Sequence, residues 1–316
     1  MEVIHVKKRT MIKDDGACPS CQTHDLAVKY VLTDPAYHTA KCRRCGFIAM
    51  QPYPSDAFLH DHYKARALYN SDSDKASYDR AVADRGALID AMLHKAGITQ
   101  RRGRAVDFGA GVGIAVAAQA ALGFEALGVE TNPSAQKSGR DMFGVDIRDL
   151  SLNDMPHGLQ LFTIFEVLEH IKYPRDFLAA VFGHLADGAA IVGSVPNYNG
   201  LARYLRGKDS IALAWPEHVN QFTRRTLRRT IEGSGLEVVY IGFPPPYGVV
   251  LTLNLRAWLR KNLPDGVLCR KLIETVTWIK KYLAYPLPNL FAEKTGLLGH
   301  GLVFVAKKPA LSSKVS

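Results

Sequence analysis

Arg104-Ala-Val-Asp-Phe-Gly-Ala-Gly-Val-Gly-Ile114 reads as a short buried strand that runs into glycines at alternate positions and then into an alanine-rich helix. Ala105, Val106 and Phe108 supply the apolar strand, and Asp107 stands at its carboxyl end. Gly109, Gly111 and Gly113 let the backbone turn tightly and come close to a ligand. In an open parallel sheet, ligands bind outside the carboxyl ends of the strands, so this stretch decides both the fold class and the place of the site.

The loop does not suit every nucleotide. A dinucleotide fingerprint wants a glycine or alanine three places after Gly111, where this chain has Ile114. No Gly-Lys-Ser/Thr follows, so the triphosphate cradle is missing too. What remains is an acidic strand end and a loop of little bulk, suited to a ligand that carries an amino acid and a ribose. Phe124-Glu-Ala-Leu-Gly-Val-Glu130 reads as a second strand ending in a carboxylate able to accept both ribose hydroxyls.

Together these residues resemble the class I S-adenosylmethionine-dependent methyltransferases, whose first motif has the form Val-Leu-Asp-hydrophobic-Gly-x-Gly-x-Gly, here Ala105 to Gly113. Phe162-Thr-Ile-Phe-Glu-Val-Leu-Glu-His-Ile171 is similar to the family's fourth strand and turn, with Glu166 in place of the usual aspartate. The resemblance covers residues 101–243 and 299–308. It implies a doubly wound, mostly parallel α/β sheet of seven strands, Rossmann-like, with S-adenosylmethionine as cofactor. Gly109, Gly111 and Gly113 would hold the methionine part, Glu130 the ribose, and Asp107 would orient the loop. Asp149 and Leu150, at the exit of a third strand in Gly144–Leu150, would lie beside the adenine, and Glu166 would close the cofactor side. Asn132-Pro-Ser starts the intervening helix, with Pro133 where its missing donor costs nothing.

Four cysteines stand as Cys18-Pro-Ser-Cys21 and Cys42-Arg-Arg-Cys45, twenty residues apart, which is zinc-ribbon spacing. Four thiolates close a tetrahedral site with no position left for water, so the zinc would be structural. A ribbon over residues 1–52 is too small to bury a core without the metal. Disulfides are the alternative, disfavoured in a chain without an export signal. His24 and His38 are possible substitute ligands but are not needed, and Cys269 reads as an ordinary free cysteine. Residues 53–100 form a helical connector with an apolar stripe of Tyr78, Val82, Leu88, Ile89, Met92 and Leu93. Asn70-Ser-Asp-Ser-Asp74 breaks it, and Tyr63, Tyr69 or Tyr78 can reach the cofactor from it.

On the acceptor side, the turn after the fourth strand presents His170, whose ordinary pKa of ~6.5 suits a general base near neutral pH. Its other reading is a structural one, fixing the turn through a backbone hydrogen bond. Gly188–Asn197 reads as the fifth strand, stopped by Pro196. A loop rich in aromatic and basic residues follows and ends in Trp215-Pro-Glu-His-Val-Asn-Gln-Phe-Thr223, where Thr223 can cap a helix over Arg224–Gly233. Glu217-His218 here resembles the Glu-His pair of zinc-ribbon-bearing sugar C-methyltransferases, which also keep a histidine where His170 stands and act on nucleotide-linked keto sugars. By topology His170, Glu217 and His218 belong together although nearly fifty residues separate them. They would be catalytic, or else Glu217 and His218 would cap the helix and bind substrate hydroxyls.

Leu236–Gly242 reads as the sixth strand and Gly301–Ala306 as the last, which runs antiparallel in this family. Residues 244–298 are an insertion in which Leu251–Leu263 and Leu272–Leu283 are amphipathic, mixing Trp258, Trp278 and Tyr282 with arginines and lysines. Such faces suit a dimer interface, a lid, or an anionic membrane surface, and residues 309–316 form a tail. The 316 residues carry a formal charge of +10, which favours anionic partners unless the basic surface is only solvated. No apolar run approaches the ~20 residues that span a bilayer, and Met1–Lys8 lacks the apolar core of a secretory leader. The expectation is a cytoplasmic enzyme, with the inner face of the membrane as a peripheral station. Its acceptor would be a sugar or other small polar metabolite, nucleotide- or lipid-linked. RNA methylation is the second reading, weakened by the absence of an Asn/Asp-Pro-Pro-Tyr/Phe motif at Pro196-Asn197. A zinc-stabilised binding protein without catalysis is the third.

Overall fold

The computed structural model describes residues 16–31, 36–65, 75–200, 216–243, 271–272, 274–275 and 301–310. Tyr69, Cys269, most of the loop before Trp215-Pro216 and nearly all of the 244–298 insertion lie outside them. Among the described residues no helix is long and apolar enough to cross a membrane.

The glycine stretch joins β4 (Arg104–Phe108) to α3 (Ile114–Ala121), as its sequence requires. Around it β5 (Glu125–Val129), β6 (Ile147–Arg148), β7 (Leu159–Phe165), β8 (Leu185–Pro196), β10 (Glu237–Gly242) and β11 (Gly301–Lys307) complete a seven-stranded sheet. The strand order is β10-β11-β8-β7-β4-β5-β6, and β11 runs antiparallel to both of its neighbours while the other pairs are parallel. This is the doubly wound, Rossmann-like architecture expected from the loop. The central strands are buried on both faces and therefore read as nearly continuous apolar runs.

Successive side chains of those strands go to opposite cores, as a period of two demands. Leu161, Val192, Val303 and Val305 join Ile89, Met92 and Leu93 of the long helix α2 (Lys75–Lys95) on one face. Phe162, Ile191 and Phe304 face the other way, with Leu178 and Val181 of α5 (Pro174–His184) and Leu227 and Ile231 of α6 (Arg224–Gly233). Helix starts follow the sequence closely. Asn132 caps α4 (Pro133–Phe143) by accepting from the Ser134 and Ala135 amides, with Pro133 in the first turn. Thr223 caps α6 in a reciprocal arrangement with Thr226.

The cysteine-bearing segment forms an antiparallel sheet of β1 (Leu26–Val31), β2 (His38–Cys42) and β3 (Ile48–Gln51). Its fourth strand comes from far along the chain. β9 (Asn220–Gln221) pairs with β3 through Ile48↔Gln221 and Ala49↔Asn220. Phe47 packs edge-on against Phe222 at 5.4 Å, and Cys18, Cys42 and Cys45 belong to the same buried cluster as Leu168 and Leu227. The ribbon therefore shares a core with the large sheet. In sequence the ribbon is followed by α1 (Asp56–Ala65).

Candidate active site

At the carboxyl end of β4 the Gly109 and Ala110 amides donate to the Val129 carbonyl at 2.8 and 3.0 Å, pinning the loop against the end of β5. Gly109 has φ +73°, and a Cβ there would stand 2.4 Å from Val167 Cγ2. Gly113 has φ +83°, and its Cβ would meet Val145 and Ile147 at 2.8 and 2.9 Å. Both positions demand glycine on conformation and on space. Glu130 follows β5, and its carboxylate accepts from the Gly111 amide at 2.9 Å and the Asn132 amide at 2.8 Å. Each oxygen keeps a lone pair, so the group can take a ligand's hydroxyls while holding the loop.

Asp107 is only 4% exposed. The Thr163 hydroxyl donates to its Oδ1, and Gln119 Nε2 donates to Thr163 Oγ1 at 2.8 Å. Burial pushes the Asp107 carboxyl up to about 7, against the opposing pull of Thr163 and of the Arg85 charge. Arg85, on α2, sits over the Phe165 ring at 3.8 Å and faces both Asp107 and Glu166 electrostatically. Burial lowers its pKa, but a guanidinium stays charged. Arg85 was not among the sequence candidates. Its signal was the spacing Val82, Arg85, Ile89, which places a cation on the inward stripe of the helix.

Glu166 occupies the left-handed region at φ +54°. Its amide donates to the Ser194 carbonyl at 2.9 Å, and the Ser194 hydroxyl donates to its Oε1 at 2.6 Å. Burial raises its pKa. Asp149 is exposed after β6, and Leu150 is half-buried against the core. Tyr78 packs edge-on against Phe143 of α4 at 6.0 Å.

A second cluster is built by the turn Leu168–His170 after β7 and by the approach to β9. His170 Nδ1 is 2.8 Å from the Glu217 carbonyl. Because a carbonyl only accepts, Nδ1 carries the proton and Nε2 is the basic nitrogen of the neutral ring. The His170 and His218 rings lie 4.9 Å apart, edge to face. Both Nε2 atoms are 3.9 Å from the same oxygen, Glu169 Oε1. Glu169 is 1% exposed and neither of its oxygens has a hydrogen-bond partner among the described residues. Burial, and then the nearby Glu166, raise its pKa well above the carboxylate range. The Glu217 carboxylate turns elsewhere, to His62 Nε2 of α1 at 3.2 Å. His170, Glu217 and His218 are thus brought together, Glu217 by its backbone. The cap of α6 is made by Thr223 and Thr226 without Glu217 or His218. Glu169, in plain view in the Leu-Glu-His turn, was placed at the carboxyl edge of the sheet but given no role, and His62, which carried no local signal, was missed.

Asn220 fastens this cluster to the ribbon. Tyr53 Oη donates to Asn220 Oδ1 at 2.8 Å, and Asn220 Nδ2 donates to the Ile171 carbonyl and, at 3.3 Å, to that of Lys172. In the ribbon the four cysteines are free thiols, their Sγ atoms all within 4.8 Å of one another. Cys18 and Cys45 Sγ are 3.5 Å apart, and Cys21 and Cys42 3.6 Å. The Cys18 contact holds Cys45 down to about 7. Four sulfurs in so small a buried space fit one tetrahedral cation.

A family profile described as a methyltransferase domain matches residues 78–241. No curated protein matches the chain. Similar solved structures include the magnesium protoporphyrin IX methyltransferase of Synechocystis PCC 6803 with bound SAH, at 10% identity and TM-score 0.49 over 80% of this chain and 100% of that one. An S-adenosylmethionine-dependent methyltransferase of Clostridium acetobutylicum ATCC 824 follows at 10% identity and TM-score 0.46, over 80% and 98% of the two chains. One from Mesorhizobium loti has 14% identity and TM-score 0.43, over 65% and 90%. The profile spans more than half of the chain and takes in the glycine turn, Glu130 and the Leu-Glu-His turn. The chain belongs to the methyltransferase-domain family and is an S-adenosylmethionine-dependent methyltransferase.

Proposed function

We propose that the acceptor is a small polar molecule of sugar type, nucleotide- or lipid-linked, whose reacting atom lies against His170 and His218. The observation that carries this reading is the pair of imidazoles 4.9 Å apart beside the end of β7, with His170 Nε2 left basic by the Glu217 carbonyl. Such a pair suits an acceptor that must lose a proton to become nucleophilic. It also agrees with the resemblance of Glu217-His218 and His170 to the sugar C-methyltransferases. On the cofactor side Gly109, Gly111 and Gly113 line the methionine part, Glu130 takes the ribose hydroxyls, and Asp149 with Leu150 borders the adenine. Asp107 orients the loop. Arg85, facing Asp107 and Glu166, keeps two buried carboxyls compatible with a cationic ligand. When bound, the cofactor supplies the methyl group from its sulfonium, and the protein contributes alignment and activation of the acceptor. Cys18, Cys21, Cys42 and Cys45 hold a structural zinc.

Calorimetric titration of the zinc-loaded chain with S-adenosylhomocysteine tests the cofactor side. Glu130→Ala is expected to weaken binding at least about tenfold, and unchanged affinity would remove Glu130 from the ribose. A panel of nucleotide-linked sugars, with a structured RNA beside it, tests the acceptor. With the acceptor found, His170→Ala and His218→Ala are expected to lose roughly 10²-fold or more in kcat at unchanged cofactor affinity. Full turnover in both variants would place the chemistry elsewhere.

A further inference from the structure

The Glu169 carboxylate presents a problem that general-base chemistry leaves unsolved. A side chain 1% exposed, with neither oxygen hydrogen-bonded among the described residues, is a costly thing to keep. The Nε2 atoms of His170 and His218 both stand 3.9 Å from its Oε1. That is too long for a hydrogen bond. It is within the spread of ligands around one ion, because atoms each ~2.1 Å from a metal stand between ~3 and ~4.2 Å apart. All three ligand atoms lie within 4.8 Å of one another. His170 Nδ1, on the far side of its ring, meets the Glu217 carbonyl, the backing a metal-bound imidazole normally has. Glu166, with Oε1 held by Ser194, adds a second carboxylate to the neighbourhood.

We propose that Glu169, His170 and His218 bind a divalent cation, separate from the cysteine site, which activates the acceptor. Two imidazoles and one carboxylate suit manganese, iron, cobalt or zinc, and three protein ligands leave positions open. The acceptor class follows: two adjacent oxygens, a hydroxyl beside a hydroxyl or a ketone, able to occupy those positions together. A ligated hydroxyl is acidified, so its proton leaves to water. The oxygen's lone pair then takes the methyl, and the pair of the broken carbon–sulfur bond stays on sulfur. The two imidazoles act through the ion. This step rests on the acceptor reading above, but the cation site does not.

The test is a titration of the zinc-loaded full chain with Mn²⁺, followed by the electron paramagnetic resonance of the free ion and repeated with Co²⁺ by its visible absorption. One saturable site per chain is expected, weakened at least about tenfold in Glu169→Gln and in His218→Ala. Binding of S-adenosylhomocysteine, measured in parallel, reports that each variant is folded. Absence of a saturable site for either ion in the unaltered chain would overturn the proposal. So would a site of equal affinity in Glu169→Gln, the isosteric change and the one least able to disturb folding. A cation site without methyl transfer to any oxygen-pair acceptor would instead sink the acceptor reading and leave the cation standing.

Discussion

Asp107 stands near the end of β4, just before the glycine turn, and its surroundings make its charge conditional. Folded, its carboxyl titrates near 7 rather than at the ordinary 3.8, because burial outweighs the Thr163 hydrogen bond and the Arg85 charge. Between those values the folded chain holds a proton that the unfolded chain has released. Its contribution to stability is therefore complete below pH ~4 and lost as the pH rises to ~7, by up to about 1.4 kcal/mol per pH unit. Asp107→Asn keeps an acceptor for Thr163 and removes the dependence. In the absence of cofactor it is expected to match the unaltered chain near pH 4 and to be more stable at pH 8, by denaturant midpoints; equal stability at both would contradict the assignment. Gly109→Ala meets both a left-handed backbone and Val167 at 2.4 Å, and is expected to lose about 1–3 kcal/mol. Adding Val167→Ala relieves the collision but not the backbone, so recovery should be partial. Full recovery would show that space alone selects glycine there. At this scale the sequence was informative where chemistry is local. The glycines and Glu130 lie within one strand–helix–strand unit, and the Gly111 amide donates to the Glu130 carboxylate. Arg85 and His62 reach the site across space from helices whose periodicity records burial only, so their partners were invisible.

Among the elements, β9 is the least legible. Two residues, Asn220 and Gln221, carry no periodicity, and their strand character comes entirely from β3 lying beside them. By contrast β7 and β8 announced themselves as long apolar runs, and α4 and α6 by their caps. Asn220 is 1% exposed and bonded on both ends of its amide. Tyr53→Phe removes one donor and leaves Asn220 Oδ1 unsatisfied. The expected loss is about 1–3 kcal/mol by urea titration. A poorer acceptor KM with normal S-adenosylhomocysteine affinity should accompany it, since the loop holding His218 loses a tether while the glycine loop does not. A uniform loss of both affinities would mean that the tether serves the fold alone.

For the molecule as a whole, the cysteine ribbon and the large sheet share one hydrophobic cluster, so they should unfold together. Chelating the zinc proposed for the four cysteines, or Cys42→Ser, is expected to lower the single thermal transition and not to split it. A low-temperature ribbon melt followed by an unchanged main transition would show two independent bodies. The two Cys-x-x-Cys pairs made the ribbon legible, and the doubly wound sheet with an antiparallel last strand followed from the resemblance that the glycine turn carries. Their fusion was not legible, because it is made of side chains from distant stretches, such as Phe47 against Phe222. The borrowed strand also has a consequence for how the protein is made. As the chain leaves the ribosome, β3 emerges about 170 residues before its partner β9 exists. At ~5–20 residues per second the nascent ribbon waits on the order of 10–30 s with one edge unpaired. That is an open template for pairing with a neighbouring chain. Synthesis is therefore the interval in which this protein is most exposed to mispairing, and the arrival of Asn220 is the event that ends it.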